Sequence, residues 1–479
     1  YGIMDLCIQL TVAGKSTKRS NNWDPFQMKW LVLLGFFCGS LVAEDPLLYW
    51  PQWRGPLNNG VGPKANPPVK WSEDSNIRWK SSIPGKGHST PVVWKDIVFV
   101  SCAIPVGPEK PPIYNQADGA HDNLPVSKDH LFSILAYNRQ NGSLRYQRDL
   151  HRTFPHEGGH DTGSLASASP VTDGEHVIVS FGSHGLYGLN MQGDLIWERD
   201  FGQMQTRHAH GEGSSPVLHD DRLIVNWDHE GESAVYCLDK SNGSEIWKVS
   251  RNESTSWSTP LIVEESGKPQ VIVSATGKIR SYDLLTGKVI WECGGLSRNV
   301  VATPVAGHGL LVASNSYDWQ AMLAIRLEGA TGDLTDTNQI VWSMNRLTPY
   351  VPSPLLYGNK LYFLRHLQGI LSCVDLMTGE PLGGPYRLPL VRVLFASPVG
   401  ASDRIYITSR EGITLVMSNA DDSKLLSVNR LNDVFSASPA LVGNQLFLRG
   451  EKFLYCLEKN VSPATFENEG EPSSQSQNK

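Results

Sequence analysis

Histidine and acidic side chains crowd three short stretches of this chain: HRTFPHEGGHD at 151–161, RHAHGEGSSP at 207–216 and NWDHEGE at 226–232. Neutral imidazole nitrogens and carboxylate oxygens together suit a divalent transition metal, zinc above all. The same groups suit general acid–base work, because imidazole titrates near neutral pH. The ligand candidates are His156, His160, His208, His210, Asp228 and His229. No helix fixes their geometry, so spacing leaves three readings open: a metal or catalytic cluster, a polar ligand pocket, or solvated loop histidines that cap strand ends. The last is the plainest. His88 and Trp257 each stand three residues before a proline; this indole either stacks a planar ligand or packs between elements. Arg298 is an anion-binding candidate or a surface charge. Asp318 and Trp319 form a ligand-binding loop or a simple turn.

The elements that position these residues are repeated. The hairpin SYDLLTGKVIW at 281–291 recurs as LDKSNGSEIW at 238–247, as LNMQGDLIW at 189–197 and, with tyrosine for the indole, as YNRQNGSLRY at 137–146. CVDLMTGEP at 373–381 keeps the turn and has lost the aromatic. Gly and Asn supply the positive φ that such turns demand. A second mark sets the period: Ser or Thr precedes Pro91, Pro170, Pro216, Pro260, Pro304, Pro354, Pro398 and Pro439, and after a first gap of 79 residues these prolines are 41–50 apart. Four short strands per such period are the signature of a propeller blade. Proline fits an innermost strand, an edge facing the channel where no N–H is required. The sequence therefore predicts an all-β fold, an eight-bladed β-propeller of four-stranded antiparallel blades. The last blade lacks a fourth strand, and IRWKSS at 77–82 is an orphan outer strand upstream. It is expected to complete that blade, closing the ring and removing an exposed edge.

On this plan the histidine-rich stretches share one face, around the channel mouth, and only His176, His219 and His308 fall on the other. The Pro-rich insertion 105–129 lengthens the first blade on the histidine-rich face, as a lid, a partner contact or a passive loop. The segment YWPQWRGPLNNG at 49–60 is expected to pack across the propeller's edge near the closure, with Trp50 and Trp53 structural.

With 40% apolar residues the chain can bury a large core, and its net charge of −6 without a basic run argues against nucleic acid. The apolar run WLVLLGFFCGSLVA at 30–43 is short for a membrane span and reads as an export signal. The expected organisation is a mis-assigned start at 1–27, a signal at 28–43, an N-terminal edge segment at 44–76, the propeller at 77–459 and a disordered tail at 460–479. A monomer with no membrane span after signal cleavage is expected. An uncleaved anchor is the alternative. Cys102, Cys237, Cys293, Cys373 and Cys456 remain, an odd number that cannot all pair internally; Cys237, Cys373 and Cys456, at equivalent strand positions of separate blades, read as small buried hydrophobes rather than bridges.

The hairpin D-x-x-T-G-K-x-x-W, here 283–291, resembles the tryptophan-docking repeat of the pyrroloquinoline-quinone (PQQ) propellers, and the resemblance covers roughly 77–459. That family includes quinoprotein alcohol dehydrogenases and the propeller lipoprotein of outer-membrane protein assembly. The resemblance implies that Trp79, Trp197, Trp247, Trp291 and Trp342 each pack against a neighbouring blade. Blades six and seven lack the indole and should join differently. The enzymes' vicinal disulfide is missing, and so is a Cys-x-x-Cys-His haem site, so no catalytic residue carries over. The expectation is an exported, non-catalytic binding or scaffolding module of the periplasm or cell envelope, holding a protein or small polar ligand at its histidine-rich face. One alternative is an oxidoreductase dependent on PQQ or a divalent metal, with its site in the same mouth. The other is a subunit of outer-membrane protein assembly.

Overall fold

A computed structural model describes residues 44–114 and 117–459. The expected start, export signal and C-terminal tail lie outside the described residues. Eight antiparallel four-stranded sheets follow one another along the chain. The first is built from Val92–Trp94, Ile97–Val106, Asp129–Asn138 and Leu144–Thr153, and the third from Val217–His219, Arg222–Trp227, Ser233–Asp239 and Glu245–Arg251. The eighth takes Ala440–Val442, Gln445–Arg449 and Phe453–Glu458 from the end of the chain and Ile77–Ser82 from its beginning. The register runs from Ile77 opposite Leu457 to Ser82 opposite Phe453. The ring thus closes as the orphan strand predicts.

The core lies between blades. Ile224, Val235, Cys237 and Trp247 of blade three pack on Val271, Val273, Tyr282 and Leu284 of blade four. The outer hairpin explains its own residue order. The indole Nε1–H of Trp247 donates to the Leu284 carbonyl of the next blade at 2.9 Å, and those of Trp79, Trp197 and Trp342 reach Arg139, Lys240 and Leu376 carbonyls at 2.8 Å. Each indole also lies under the turn glycine of that next blade. A Cβ on Gly287 would meet Trp247 at 2.8 Å, and one on Gly243 would meet Trp197 at 2.6 Å. The turn needs positive φ and the docking needs an absent side chain, and glycine meets both conditions. Tyr146 does the same work beneath Gly193. Trp291 differs: it is fully buried, its Nε1 has no hydrogen-bond partner, and the long hairpin of blade five adds Gly332–Asp333 as a fifth, parallel strand outside it. Where the indole is missing on blade seven, Asn429 bonds Trp71 N–H and the Val69 carbonyl of the N-terminal strap.

The Ser/Thr-Pro mark is a belt. The N–H of Thr90 donates to the Ser169 hydroxyl at 2.9 Å; Ser169 N–H then donates to Ser215, Ser215 to Thr259, Thr259 to Thr303, Thr303 to Ser353, Ser353 to Ser397 and Ser397 to Ser438, at 2.9–3.3 Å. Each link satisfies a buried N–H beside the channel and contributes about 1 kcal/mol. The belt stops at the seam between blades eight and one. There Thr90 Oγ1 is buried without a partner, and fully buried Arg449 donates to the Ser89 hydroxyl instead.

The segment at 49–60 does not stay at the edge near the closure. Trp50 pairs with Val93, and the Pro51 carbonyl accepts from Thr172 N–H. The chain then turns into the channel. Arg54, 1% exposed, donates to the carbonyls of Pro398 at 2.8 Å and Pro354 at 2.7 Å, and Trp53 Nε1–H donates to Thr303 Oγ1 at 3.1 Å. Residues 60 and 62 then bond Gly400 of blade seven. A guanidinium deprived of water needs several acceptors. The free carbonyls of the inner strands supply them, and an edge position would not. Burial lowers the Arg54 pKa to about 9.

Candidate functional site

The plug leaves a cup. A cavity of about 360 Å³ is floored by Trp53, walled by the hydroxyl belt and rimmed by His88, His121, His160, His210, Trp257, Tyr317 and Tyr350. It lies on the histidine-rich face. None of its lining side chains is Lys or Arg.

Apart from His88, the rim histidines and the neighbouring His208 come from three loops. His121 belongs to the first blade's insertion, His160 to the loop entering blade two, and His208 and His210 to the loop entering blade three. The insertion is tied down by a two-stranded sheet, Asn123–Leu124 with Gly159–His160, and by Asn123 Nδ2–H donating to the His208 carbonyl at 2.8 Å. This gathers four imidazoles. Ring centroids are 4.7 Å apart for His121 and His210, 5.2 Å for His121 and His208, 5.4 Å for His208 and His210, and 4.8 Å for His160 and His210. Burial, then the neighbouring His160, His121 and His208, lower the His210 pKa to about 4, so its ring is neutral at pH 7.

Of the candidates read from the sequence, His160, His208 and His210 are therefore brought together, and His121 joins them. His156 is not with them. Its Nε2 lies 2.9 Å from the Met204 carbonyl, and its ring stands 5.7 Å from His184 in a separate group with His151. His184 stacks on Phe132 at 4.3 Å, and burial, then His156, His151 and His130, depress its pKa to about 3. Asp228 is engaged elsewhere: it is buried in an ion pair with Arg251, whose Nε is 2.9 Å from Oδ1, and Ser256 Oγ–H donates to Oδ2 at 2.7 Å. Burial outweighs these partners and holds its carboxyl above the usual range. His229 Nδ1 accepts from the N–H groups of Gln205 and Gly231 at 3.2 and 3.1 Å, the capping role of an ordinary loop histidine.

His88 lies on the rim with Nε2 buried and unpartnered; burial, then the charges of Lys86, Arg449 and Arg410, hold its pKa well below the usual value. Trp257 donates to the Gly211 carbonyl at 2.6 Å while its ring lines the cup. Arg298 is closed by a two-point pair with Asp318, both contacts 2.7 Å, which draws the Asp318 carboxyl below the usual range. Trp319 stands 54% exposed beside that pair. Two acids inside the quoted histidine stretches carry a signal the imidazoles obscured. Burial raises Glu157 above its usual range, and burial raises Glu212 to about 7. Glu212 accepts from Ser183 N–H and Oγ–H at 2.7 and 2.5 Å at the wall of the cup. Among the described residues one other cluster has metal-type groups, Asp173, Glu175 and His176. It is a turn on the opposite face, and Lys240 already pairs with Asp173 at 2.7 Å.

A family model described as "Outer membrane protein assembly factor BamB" matches residues 68–212 and 132–382, more than half of the chain. The chain belongs to this PQQ-like propeller family. It is 29% identical over 270 residues to the outer membrane protein assembly factor BamB of Shewanella oneidensis, a match covering 53% of this chain and 62% of that relative. Among solved structures, a computationally designed protein, Ika8, matches 82% of this chain and 100% of its own at 11% identity with a TM-score of 0.52, a likeness of fold alone. BamB from Moraxella catarrhalis aligns over 80% of this chain and 99% of its own at 12% identity with a TM-score of 0.39. No helix among the described residues is long and apolar enough to cross a membrane, which says nothing of β-barrels.

PQQ fits the cup poorly. It is a tricarboxylate, and no lining side chain is a permanent cation. The side chains of the cup therefore support no step of PQQ chemistry.

Proposed function

We propose that this propeller is a non-catalytic, protein-binding module of the bacterial cell envelope that meets its partner with the histidine-rich face. One observation carries the reading. The loops of that face expose large apolar side chains: Ile113, Tyr114 and Leu124 on the insertion, Trp319 on blade five, and Leu390 and Val393 between blades six and seven, at 37–68%. Other exposed aliphatic groups lie along the outer strands and the opposite face, but the two aromatic ones among the described residues, Tyr114 and Trp319, both stand on this face, and aromatic side chains anchor protein contacts. Membership of the assembly-factor family supports an envelope location and a scaffolding role. The finer reading, a partner in outer-membrane protein assembly, rests on the names of the relatives.

The test is affinity capture from bacterial envelope extracts with the purified chain. A specific partner should be retained by the parent and lost from a Trp319→Ala, Leu390→Ser double variant. A Leu285→Ser, Met377→Ser variant, altered on the opposite face, should keep it. Capture that ignores the mouth-face changes would sink the proposal. So would PQQ-dependent alcohol oxidation by the purified protein.

A further inference from the structure

We propose that His121, His208 and His210 bind one divalent transition-metal ion and thereby staple the blade-one insertion to the rim of the channel. This does not rest on the protein-partner reading.

The spacing carries the argument. Three imidazoles on one tetrahedral ion, with metal–nitrogen bonds of about 2.0–2.1 Å, have ring centroids about 5 Å apart. The three pairs here are 4.7, 5.2 and 5.4 Å apart. The hydrogen bonds point the same way. His121 Nδ1 lies 2.8 Å from the Gly119 carbonyl and His208 Nδ1 lies 3.2 Å from the Asp118 carbonyl. A carbonyl can only accept, so each Nδ1 carries the proton and each Nε2 has a lone pair; that of His208 accepts from the Tyr317 hydroxyl at 3.4 Å, a long bond that an ion would replace. An Nδ1–H held by a carbonyl is the outer partner arrangement found behind metal-bound histidines. His210 Nε2 is buried with no hydrogen-bond partner at all. A buried imidazole nitrogen without a protein partner is open to a ligand.

The backbone supports the same site. His208 and Ala209 both adopt left-handed conformations, φ 55° and 52°. Two consecutive non-glycine residues there are strained, and such strain concentrates at sites with a use. His160 stands 4.8 Å behind His210, but its Nδ1 accepts from the Thr162 N–H at 3.2 Å, so the Nε2 of its neutral ring carries the proton and offers no lone pair. It is left out of the ligand set. The rings must still turn inward to bind, because among the described residues the only three such ligand groups within 4.8 Å of one another are Asp173, Glu175 and His176. Imidazoles suit Zn²⁺, Ni²⁺, Co²⁺ and Cu²⁺, and three protein ligands leave a fourth position for water or a bound group.

The experiment uses the purified full chain stripped with chelator, then titrated with Co²⁺ by visible absorbance and with Zn²⁺ by calorimetry. One ion per chain is expected, with the intense bands of four-coordinate cobalt. Zn²⁺ should slow proteolysis within 105–129. The variants His121→Gln, His210→Gln and His208→Asn keep short polar groups, and asparagine tolerates the left-handed backbone. Each should weaken Zn²⁺ binding at least ~100-fold, the upper end of what losing even an outer partner costs. His219→Gln and His308→Gln should change nothing. Parent-like far-ultraviolet dichroism of the metal-free variants verifies that they fold. Absence of stoichiometric uptake, or uptake that survives all three substitutions together, overturns the proposal.

Discussion

The histidines of this protein divide by what surrounds them, not by where they fall in the sequence. His210 shares a rim with three other imidazoles, while His184 sits against Phe132 at the edge of the core. The second case has a measurable consequence. The folded-state pKa of His184, about 3, lies below the usual 6.5. The unfolded chain therefore binds the extra proton first, and the stabilisation is fully present above pH 6.5 and lost as pH falls toward 3. The full shift is discounted for residual exposure and for neighbouring imidazoles, leaving on the order of 3 kcal/mol. Replacing His184 by Phe should preserve the stack on Phe132 and flatten this acid limb. Urea unfolding at pH 7 and pH 4.5 checks it: the parent should lose markedly more stability between the two than the variant. An equal loss would place the acid sensitivity elsewhere.

At the scale of elements, the outer hairpin and the indole beneath it form one unit shared by two blades. Gly287 and Gly329 separate its two requirements. Both have positive φ, 73° and 69°, but a Cβ on Gly287 meets Trp247 at 2.8 Å and one on Gly329 meets nothing within 4 Å. Gly329→Ala should therefore cost only the left-handed strain, about 1 kcal/mol. Gly287→Ala adds displacement of a buried indole and should cost about 3 kcal/mol, approaching the loss of the aromatic itself. Chemical denaturation of the two variants measures the difference, and equal costs would mean that the indole does not need the glycine. The hydroxyl belt is the inner counterpart of this unit. Its Ser/Thr-Pro mark is legible in the sequence as a period, and proline's tolerance of an edge explains half of it. The other half, an N–H of one blade donating to a hydroxyl of the next, becomes visible only when the blades stand side by side.

For the whole molecule, closure depends on chain ends that are almost 400 residues apart in sequence. Ile77–Ser82 is hydrogen-bonded along Phe453–Glu458, and Trp79 docks on blade one. Removing 77–82 should leave the third strand of blade eight as an open edge, free to pair with another chain. The shortened protein is expected to unfold at lower denaturant and to associate with rising concentration, as followed by size exclusion with light scattering. A monomer with unchanged stability would show that the seam is held by other contacts, chiefly Arg449 and the strap.

The blade count, the outer hairpins and the closing strand are all legible in the order of residues. They follow from local rules: turn residues, strand periodicity and proline placement repeat with each blade and can be counted. Which histidines meet is settled only in the folded ring. His156 and His160 are four residues apart, yet one faces Met204 and the other His210. The ring also settles that Arg54 and Trp53 close the far end of the channel, because the acceptors a buried guanidinium requires are carbonyls of blades six and seven, about 300 residues away. Side-chain convergence depends on how separate loops are held above the ring, and no spacing along one stretch of chain encodes that.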